Sequence, residues 1–155
     1  LIAFVLTWAI GGNLFAVIFS SAGPVYYALL GLGDAYAGLM ARLDQHAATG
    51  ALSVVETQAL LWTVHIHPNG LNAISAFPSM HVASTTLMTI FAFSFSRRAG
   101  ILASIFLVSI MLGSVLLAWH YAVDGYVGAV IAAASWVVAG WLTRSRLGGF
   151  GDARP

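Results

Sequence analysis

The chain alternates between long apolar stretches and shorter segments in which polar residues gather. Four stretches are apolar over about the 20 residues that a helix needs to cross the hydrocarbon core of a bilayer. They run from Leu1 to Ser20, Pro78 to Ser96, Ala99 to Trp119 and Gly125 to Thr143. Only a few residues around His120 separate the last two, so they are expected to form a tight helical hairpin. The pattern predicts an all-α, polytopic transmembrane helix bundle with about four spans.

The segment from Ser21 to Phe77 differs from these stretches. It begins with a Gly-Pro break and two tyrosines, which is typical of a membrane interface, and it holds most of the acidic residues. Further along, apolar residues recur at alternating spacings of three and four, while Ser53, Glu56 and Thr57 lie off the stripe. The stripe comprises Leu52, Val55, Ala59, Trp62 and Ile66. It predicts a loop containing an amphipathic helix that lies on the membrane or caps the bundle.

Composition narrows the class of protein. Of 155 residues, 60% are hydrophobic and 7% are charged, whereas a soluble domain carries about 25% charged residues. The chain is therefore expected to be one integral membrane domain over residues 1–155. It begins LIAFVLTWAI, with neither a methionine nor a basic stretch, so we expect a fragment truncated at its N-terminus. A basic stripe that would bind nucleic acid is absent, and the lack of cysteine excludes disulfides and thiolate metal sites.

The arginines predict how the chain lies across the membrane. If one span begins at Pro78 and the hairpin tip is at His120, five of the six arginines fall on one side: Arg97, Arg98, Arg144, Arg146 and Arg154. The other side holds Arg42, Asp34, Asp44 and Glu56. Because loops rich in arginine stay cytoplasmic, His81, His120 and the long loop are expected to face the extracytoplasmic side. The expected location is the plasma (inner) membrane of a bacterium.

The sequence HYAVD places a histidine and a carboxylate four residues apart. On a helix, His120 and Asp124 share one face. The carboxylate can then accept the hydrogen of one ring nitrogen, which leaves the other nitrogen free to attack phosphorus. The alternative is a hydrogen bond or ion pair that only satisfies two polar groups at a helix end.

The sequence FPSMH has the features of a helix start. Pro78 suits a first turn and Ser79 suits a cap, so the free amides of that turn form an anion site with His81 beside it. The alternative is an ordinary cap with a histidine at the interface. His81 begins one span and His120 lies one down-and-up traverse later, so both are expected at the same membrane level. One histidine would attack phosphorus while the other protonates the leaving oxygen, without metal or cofactor.

Two other interpretations stay open at this point. A zinc site built from His65, His67, His81 and Asp124 is conceivable, but the spacing of these ligands is unconvincing. Alternatively, His81, His120 and Asp124 would form a proton relay in a non-catalytic membrane protein or transporter. The relay predicts a pH-dependent flux and no phosphoenzyme.

FPSMH and HYAVD resemble two of the three signature motifs of the type 2 phosphatidic acid phosphatase superfamily: K-x6-R-P, P-S-G-H and S-R-x5-H-x3-D. The resemblance covers Phe77 to Gly128, with matching helix order and spacing. It implies that His120 is the nucleophile, that Asp124 is its orienting partner and that His81 is the general acid. It also implies that Ser79 helps to bind the phosphoryl oxygens, and Pro78 and Ser114 are expected to contact the substrate with it.

The departures from these motifs concern charge. Met80 replaces a glycine, Gly113 and Ser114 stand where the third motif has Ser-Arg, and the chain contains no lysine and no K-x6-R-P motif. A diester carries one negative charge and needs fewer cations than a monoester dianion. With GPVYY, the pattern is similar to the inositolphosphotransferase-like branch, which includes inositol phosphorylceramide synthases. This likeness implies transfer of a phospho-head group from a phospholipid to a lipid alcohol; a lipid phosphate phosphatase is the alternative.

Overall fold

The structure is a computed structural model that describes residues 1–50, 52–67 and 74–148. Within those ranges the chain is all-helical and has no β-strand. The helices are α1 Ile2–Thr7, α2 Ala16–Ile18, α3 Ala37–Ala48, α4 Val54–Ile66, α5 Met80–Phe95, α6 Arg97–Leu116 and α7 Ala122–Gly148. A π-helical segment, Trp8–Phe15, joins α1 to α2, and a short 3-10 helix spans Pro24–Tyr26. The prediction of an all-α fold is confirmed for these residues.

All four predicted apolar stretches are helical. Two of the helices, Arg97–Leu116 and Ala122–Arg144, are long and apolar enough to cross a membrane, with mean hydropathies of 2.3 and 1.6. The other two, Ile2–Ile18 and Met80–Phe95, are apolar but shorter. Most of the α6 surface is exposed in the single chain although it is strongly apolar, which is how a lipid-facing helix differs from the core helix of a water-soluble protein.

Helix α5 lies at the centre of the bundle, where it packs against both α6 and α7, while α1 packs against α7. The core between these helices is built largely from small side chains, which let helix backbones approach closely. A Cβ added at Gly128 of α7 would lie 2.5 Å from the carbonyl oxygen of Ser79. A Cβ at Gly125 would collide with the sulfur of Met111. The close packing of α7 against its neighbours therefore depends on the absence of a side chain at both glycines.

A second core forms beneath α3 and α4, where Val25, Tyr26 and Leu43 pack around Ala118. This core joins the long segment before α5 to the connection between α6 and α7. The prediction of which α4 residues form its buried, apolar face was partly wrong. Gln58 is buried, at 2% exposure, whereas Ala59 and Ile66 are exposed. The helix is turned in this way because the Gln58 amide bonds to the α6–α7 connection, which the apolar pattern does not reveal.

Helix boundaries place the arginines away from the histidines. The hydroxyl of Ser96 caps α6 by accepting the N–H of Ala99 at 3.1 Å. The turn from α5 to α6 therefore falls at Ser96, and Arg97 and Arg98 lie at the opposite end of α5 from His81. Arg144 follows at the same end, in the last part of α7, whereas Arg154 lies outside the described residues. The predicted orientation in the membrane stays a prediction.

Candidate active site

Two histidines that are 39 residues apart in the chain meet at one end of the bundle. Nδ1 of His81 lies 3.4 Å from Nε2 of His120, and the ring centroids are 5.6 Å apart. His81 comes from the first turn of α5, while His120 lies in the connection just before α7. The structure therefore places both at the same level of the bundle, as the sequence predicts. The side chain of His81 is exposed, whereas His120 is 7% exposed.

The surroundings of His120 select one of its two neutral tautomers. Its Nδ1 lies 2.7 Å from the carbonyl oxygen of Ala76. Because a carbonyl oxygen only accepts, Nδ1 must carry the hydrogen of the neutral ring. Nε2 is then left with its lone pair, and it faces His81. This is the tautomer that an attack on phosphorus by Nε2 requires.

Asp124 contacts His120 less directly than the sequence predicts. Its Oδ2 lies 3.8 Å from Nδ1 of His120, within ion-pair range but beyond a hydrogen bond. The same oxygen accepts the backbone N–H of Tyr121 at 2.8 Å. A carboxylate in the first turn of a helix commonly reaches back to the residue before that helix, and Asp124 does so for α7. The hydrogen-bonding partner of the ring is Ala76, so the orienting role of Asp124 stays a prediction.

Ser79 and Pro78 build the start of α5 from positions just outside it. Ser79 is the N-cap, and its hydroxyl accepts the N–H of Val82 at 3.4 Å. Its own backbone N–H donates to the carbonyl of Asp124 at 3.0 Å, which ties the two sequence motifs together. Ser79 is fully buried, and Pro78, which precedes the cap instead of starting the helix, is buried as well. Contact of either residue with substrate stays a prediction.

Ser114 lies close to the histidines through both its backbone and its side chain. Its carbonyl oxygen accepts the N–H groups of Trp119 at 3.0 Å and of His120 at 3.2 Å. Its side chain helps to line a cavity of about 440 Å³ that also reaches His81. The position at which the third motif has an arginine therefore lines the same cavity as His81, and in this chain the side chain there carries no charge.

Three cavities meet at His81. A cavity of about 170 Å³ is shared by His81 and His120 and is walled by Ala76, Ser75 and Trp119. The cavity at Ser114 leads along the last turns of α6, and a third, of about 460 Å³, runs between α5 and α6 past Met88 and Phe106. Met88 and Phe106 are 58% and 53% exposed. The third cavity therefore opens sideways, through the apolar surface of the bundle.

The electrostatics of the site favour neutral His120. Burial lowers the pKa of His120, the hydrogen bond to Ala76 raises it, and the neighbouring His81 lowers it again; the net direction is downward. Next to it, burial raises the pKa of the Tyr121 hydroxyl, helped by Tyr36, Tyr27 and Asp124. The neutral imidazole is the nucleophilic form, so the site keeps His120 in the state that can attack.

Two contributors to the site were missed by sequence reasoning. The Ala76 carbonyl is a backbone group, and residue type gives no signal for it. Gln58 does give a signal, because it is a lone amide in the apolar run ALLWTV and its neighbours. Its Nε2 donates to the carbonyl of Leu117 at 2.8 Å, three residues before His120. In the described part of the chain, no group of three or more histidines and carboxylates is placed to hold a metal ion.

Two histidines meet at one end of an all-helical bundle, and a backbone carbonyl holds one of them. This arrangement is a candidate site for phosphoryl transfer. The chain matches the PAP2 superfamily over residues 1–138, and it belongs to that superfamily. Membership supports an activity of the phosphatase or phosphotransferase type. No curated protein and no solved structure gives a significant match.

Proposed function

We propose that the protein is an integral membrane lipid phosphotransferase of the inositolphosphotransferase-like type. It moves a phospho-head group, inositol phosphate or one like it, from a phospholipid to a lipid alcohol through a phosphohistidine. The observation that carries the proposal is the 3.4 Å approach of His81 Nδ1 to His120 Nε2. With Nδ1 of His120 donating to Ala76, a lone pair faces a second histidine that can carry a proton.

In the first step, Nε2 of His120 attacks the phosphorus of the donor lipid. The bond between phosphorus and the glyceride oxygen breaks, and protonated His81 gives its proton to that oxygen, which leaves as diacylglycerol. The phosphorus must enter between the two rings, so the His81 ring, whose residue is exposed, would have to move aside for it. Phosphorylation puts a positive charge on the His120 ring, and the Asp124 carboxylate at 3.8 Å stabilises that charge.

In the second step, the hydroxyl of the acceptor lipid attacks the phosphohistidine. His81, neutral after the first step, takes the hydroxyl proton, and the bond between phosphorus and Nε2 breaks. His120 returns to its neutral form with Nδ1 still donating to Ala76, so the cycle needs no net proton. Because the Ser79 cap takes the N–H of Val82, the donors that remain for the phosphoryl oxygens at the start of α5 are the N–H groups of Met80 and His81.

Charge supports a diester over a monoester substrate. Ser114, which lines the same cavity as His81, stands where the third motif has an arginine. A phosphate monoester dianion would therefore lack the cationic hydrogen bonds that usually stabilise it, whereas a diester presents a single negative charge. This is why head-group transfer is proposed ahead of phosphate release.

The cavities support a lipid substrate and the proposed membrane setting. Those at Ser114 and between α5 and α6 have mainly apolar walls, and His81 lines both of them. A head group at the histidines would thus have its hydrocarbon chain in the bilayer. The proposal includes about four spans, the plasma (inner) membrane of a bacterium, and an active site facing the extracytoplasmic side.

The test uses the full-length protein in detergent. It is offered phosphatidic acid or, separately, phosphatidylinositol with a lipid alcohol, and both free phosphate and head-group transfer are followed. His120→Ala is the blank. We expect transfer from the diester and little phosphate from the monoester.

Phosphate released rapidly from phosphatidic acid would overturn the transferase assignment in favour of a lipid phosphate phosphatase. Equal activity of the protein and its His120→Ala variant would overturn the nucleophile assignment. A pH-dependent ion flux without any phosphoenzyme would favour the alternative of a proton relay in a non-catalytic membrane protein or transporter.

A further inference from the structure

The connection that carries His120 has a backbone conformation that needs support. Ala118 has a φ of +58°, a left-handed conformation that residues other than glycine seldom adopt. The turn bends the chain sharply after α6 so that His120 enters the site two residues later. A turn of this kind persists only where surrounding contacts hold it.

Those contacts come from the long segment that precedes α5. The N–H of Val25 donates to the carbonyl of Ala118 at 3.1 Å, and the Gln58 amide donates to the carbonyl of Leu117 at 2.8 Å. Gly23 lies so close that a Cβ there would collide with the carbonyl oxygen of Trp119. Three successive carbonyls of the turn are therefore each met by a group from this segment.

Gln58 is the side chain in this set, and its burial calls for an explanation. It is 2% exposed, and its Oε1 has no hydrogen-bond partner among the described residues. Burying half an amide without a partner costs free energy that an apolar side chain of the same size would avoid. What the amide supplies in return is the N–H donor to Leu117.

The backbone at Gln58 is itself held in place. The hydroxyl of Tyr26 donates to the Gln58 carbonyl oxygen at 3.1 Å, and the Tyr26 ring stacks on Trp62 with the centroids 5.4 Å apart. Trp62 lies one helical turn beyond Gln58 on α4. Helix α4 is thus fixed to the same segment that supports the turn, and the amide is aimed at Leu117 by a rigid frame.

We propose that Gln58 is a positioning residue for His120. Through the Leu117 carbonyl it holds the left-handed turn, and the turn holds the His120 ring against Ala76 with Nε2 toward His81. Gln58 touches no reacting atom, so its effect is on the geometry and tautomer of His120. The kinetic part of the inference rests on the proposed function; the effect on the tautomer does not.

The kinetic test compares Gln58→Met with the unaltered full-length protein in the head-group transfer assay. Methionine keeps the length and apolar packing but has no donor for Leu117. We expect kcat to fall roughly 10- to 100-fold, as misplacement of a reacting group does, with KM little changed. The matched control is Gln45→Met at the exposed glutamine of α3, which should leave both constants unaltered. An unchanged kcat in Gln58→Met would overturn the proposal.

The second readout does not depend on any lipid reaction. In protein labelled with ¹⁵N-histidine, the ring signals of His120, assigned by their loss in His120→Ala, should show a single neutral tautomer with hydrogen on Nδ1. In Gln58→Met we expect a mixture of tautomers. A single Nδ1–H tautomer in both proteins would overturn the positioning role even if no tested lipid is turned over. Turnover failing in the unaltered protein would instead count against the proposed function alone.

Tyr26→Phe covers the case in which Gln58→Met fails to fold. It keeps the ring stacked on Trp62 and removes only the hydroxyl that holds the Gln58 carbonyl. We expect a smaller fall in kcat, of roughly 2- to 10-fold, and the same direction of change in the tautomer. Unchanged values of both would overturn the proposal.

Discussion

Nδ1 of His81 and Nε2 of His120 approach to 3.4 Å, although one belongs to the first turn of a helix and the other to the connection before a different helix. The approach follows from backbone contacts, since the N–H of Ser79 donates to the carbonyl of Asp124. The start of α5 and the start of α7 are thus one unit. The roles that we propose for the two rings differ, and they can be separated experimentally.

The first prediction distinguishes the proposed roles of the two histidines by comparing substrates whose leaving groups do and do not need a proton. His120→Ala should lower kcat by roughly 10⁴-fold or more with every substrate, because the nucleophile is lost. His81→Ala should lower kcat by about 10²- to 10⁴-fold with a lipid leaving group, which needs a proton. With a nitrophenyl diester, whose leaving group departs without one, His81→Ala should retain most of the activity. Equal losses of His81→Ala with both substrates would contradict the assignment of His81 as general acid.

The second prediction concerns Asp124→Asn. Ala76 already fixes the tautomer of His120, so asparagine does not trap the wrong one, and the change removes only the charge at 3.8 Å. We expect kcat to fall roughly 10- to 100-fold, less than the ~10⁴-fold seen where a carboxylate alone sets the tautomer. Thermal unfolding should be little altered, since the asparagine oxygen can still accept the Tyr121 N–H.

Asp124→Ala is the comparison for this second prediction. It removes the same charge and also the acceptor for Tyr121, and so should add a loss of about 1 kcal/mol in stability. Abolition of turnover in a stable Asp124→Asn protein would show that Asp124 orients the ring directly.

The third prediction is a pH dependence. Burial and the neighbouring His81 lower the pKa of His120 more than the Ala76 bond raises it. A lowered pKa means that the neutral, nucleophilic ring persists at pH values below the ordinary ~6.5 of histidine. The acidic limb of kcat/KM should therefore fall below pH ~6.5. In His81→Ala, assayed with the nitrophenyl diester, the limb should move to higher pH, because one cause of the lowering is gone. An acidic limb above pH 6.5 in the unaltered protein would contradict this.

The fourth prediction tests the approach of α5 to α7. Gly128→Ala would place a Cβ 2.5 Å from the Ser79 carbonyl oxygen, so the helix start that carries His81 must shift. We expect a loss of stability of about 1–3 kcal/mol and a lower kcat. Gly140→Ala is the matched control, because a Cβ there meets nothing within 4 Å. It should be neutral or slightly stabilising. Equal behaviour of the two variants in thermal unfolding would rule out the close contact.

Much of the fold is predictable from the sequence, because each apolar stretch of about 20 residues in this hydrophobic chain forms a helix. The capping serine at Ser79 and the short connection at His120 also predict where the two histidines lie. The α4 face could not be predicted in the same way, because burial there follows one hydrogen bond from Gln58 to a backbone carbonyl. Prediction of a buried face from the hydrophobic pattern assumes that buried residues are apolar, and Gln58 is a buried polar residue.

The partner of the His120 ring lies beyond sequence reasoning for a related reason. A carboxylate four residues away is visible in the sequence as HYAVD, whereas the carbonyl of Ala76 is carried by every residue type alike. Which backbone oxygen reaches a ring depends on the path of the chain between Ser75 and Ser79. The sequence identifies the chemistry of the pair, and only the fold shows what holds it.

The sideways opening between α5 and α6, past Met88 and Phe106, affects how the rate should depend on concentration. For a substrate that enters from the bilayer, the concentration that determines the rate is its mole fraction among the surrounding lipids, and its bulk concentration in the suspension does not determine the rate. Adding inert detergent at a fixed total amount of substrate should then slow the reaction, as surface dilution does. In the proposed mechanism, the phosphohistidine would in turn be a branch point at which a lipid alcohol, concentrated in the plane of the bilayer, competes with water.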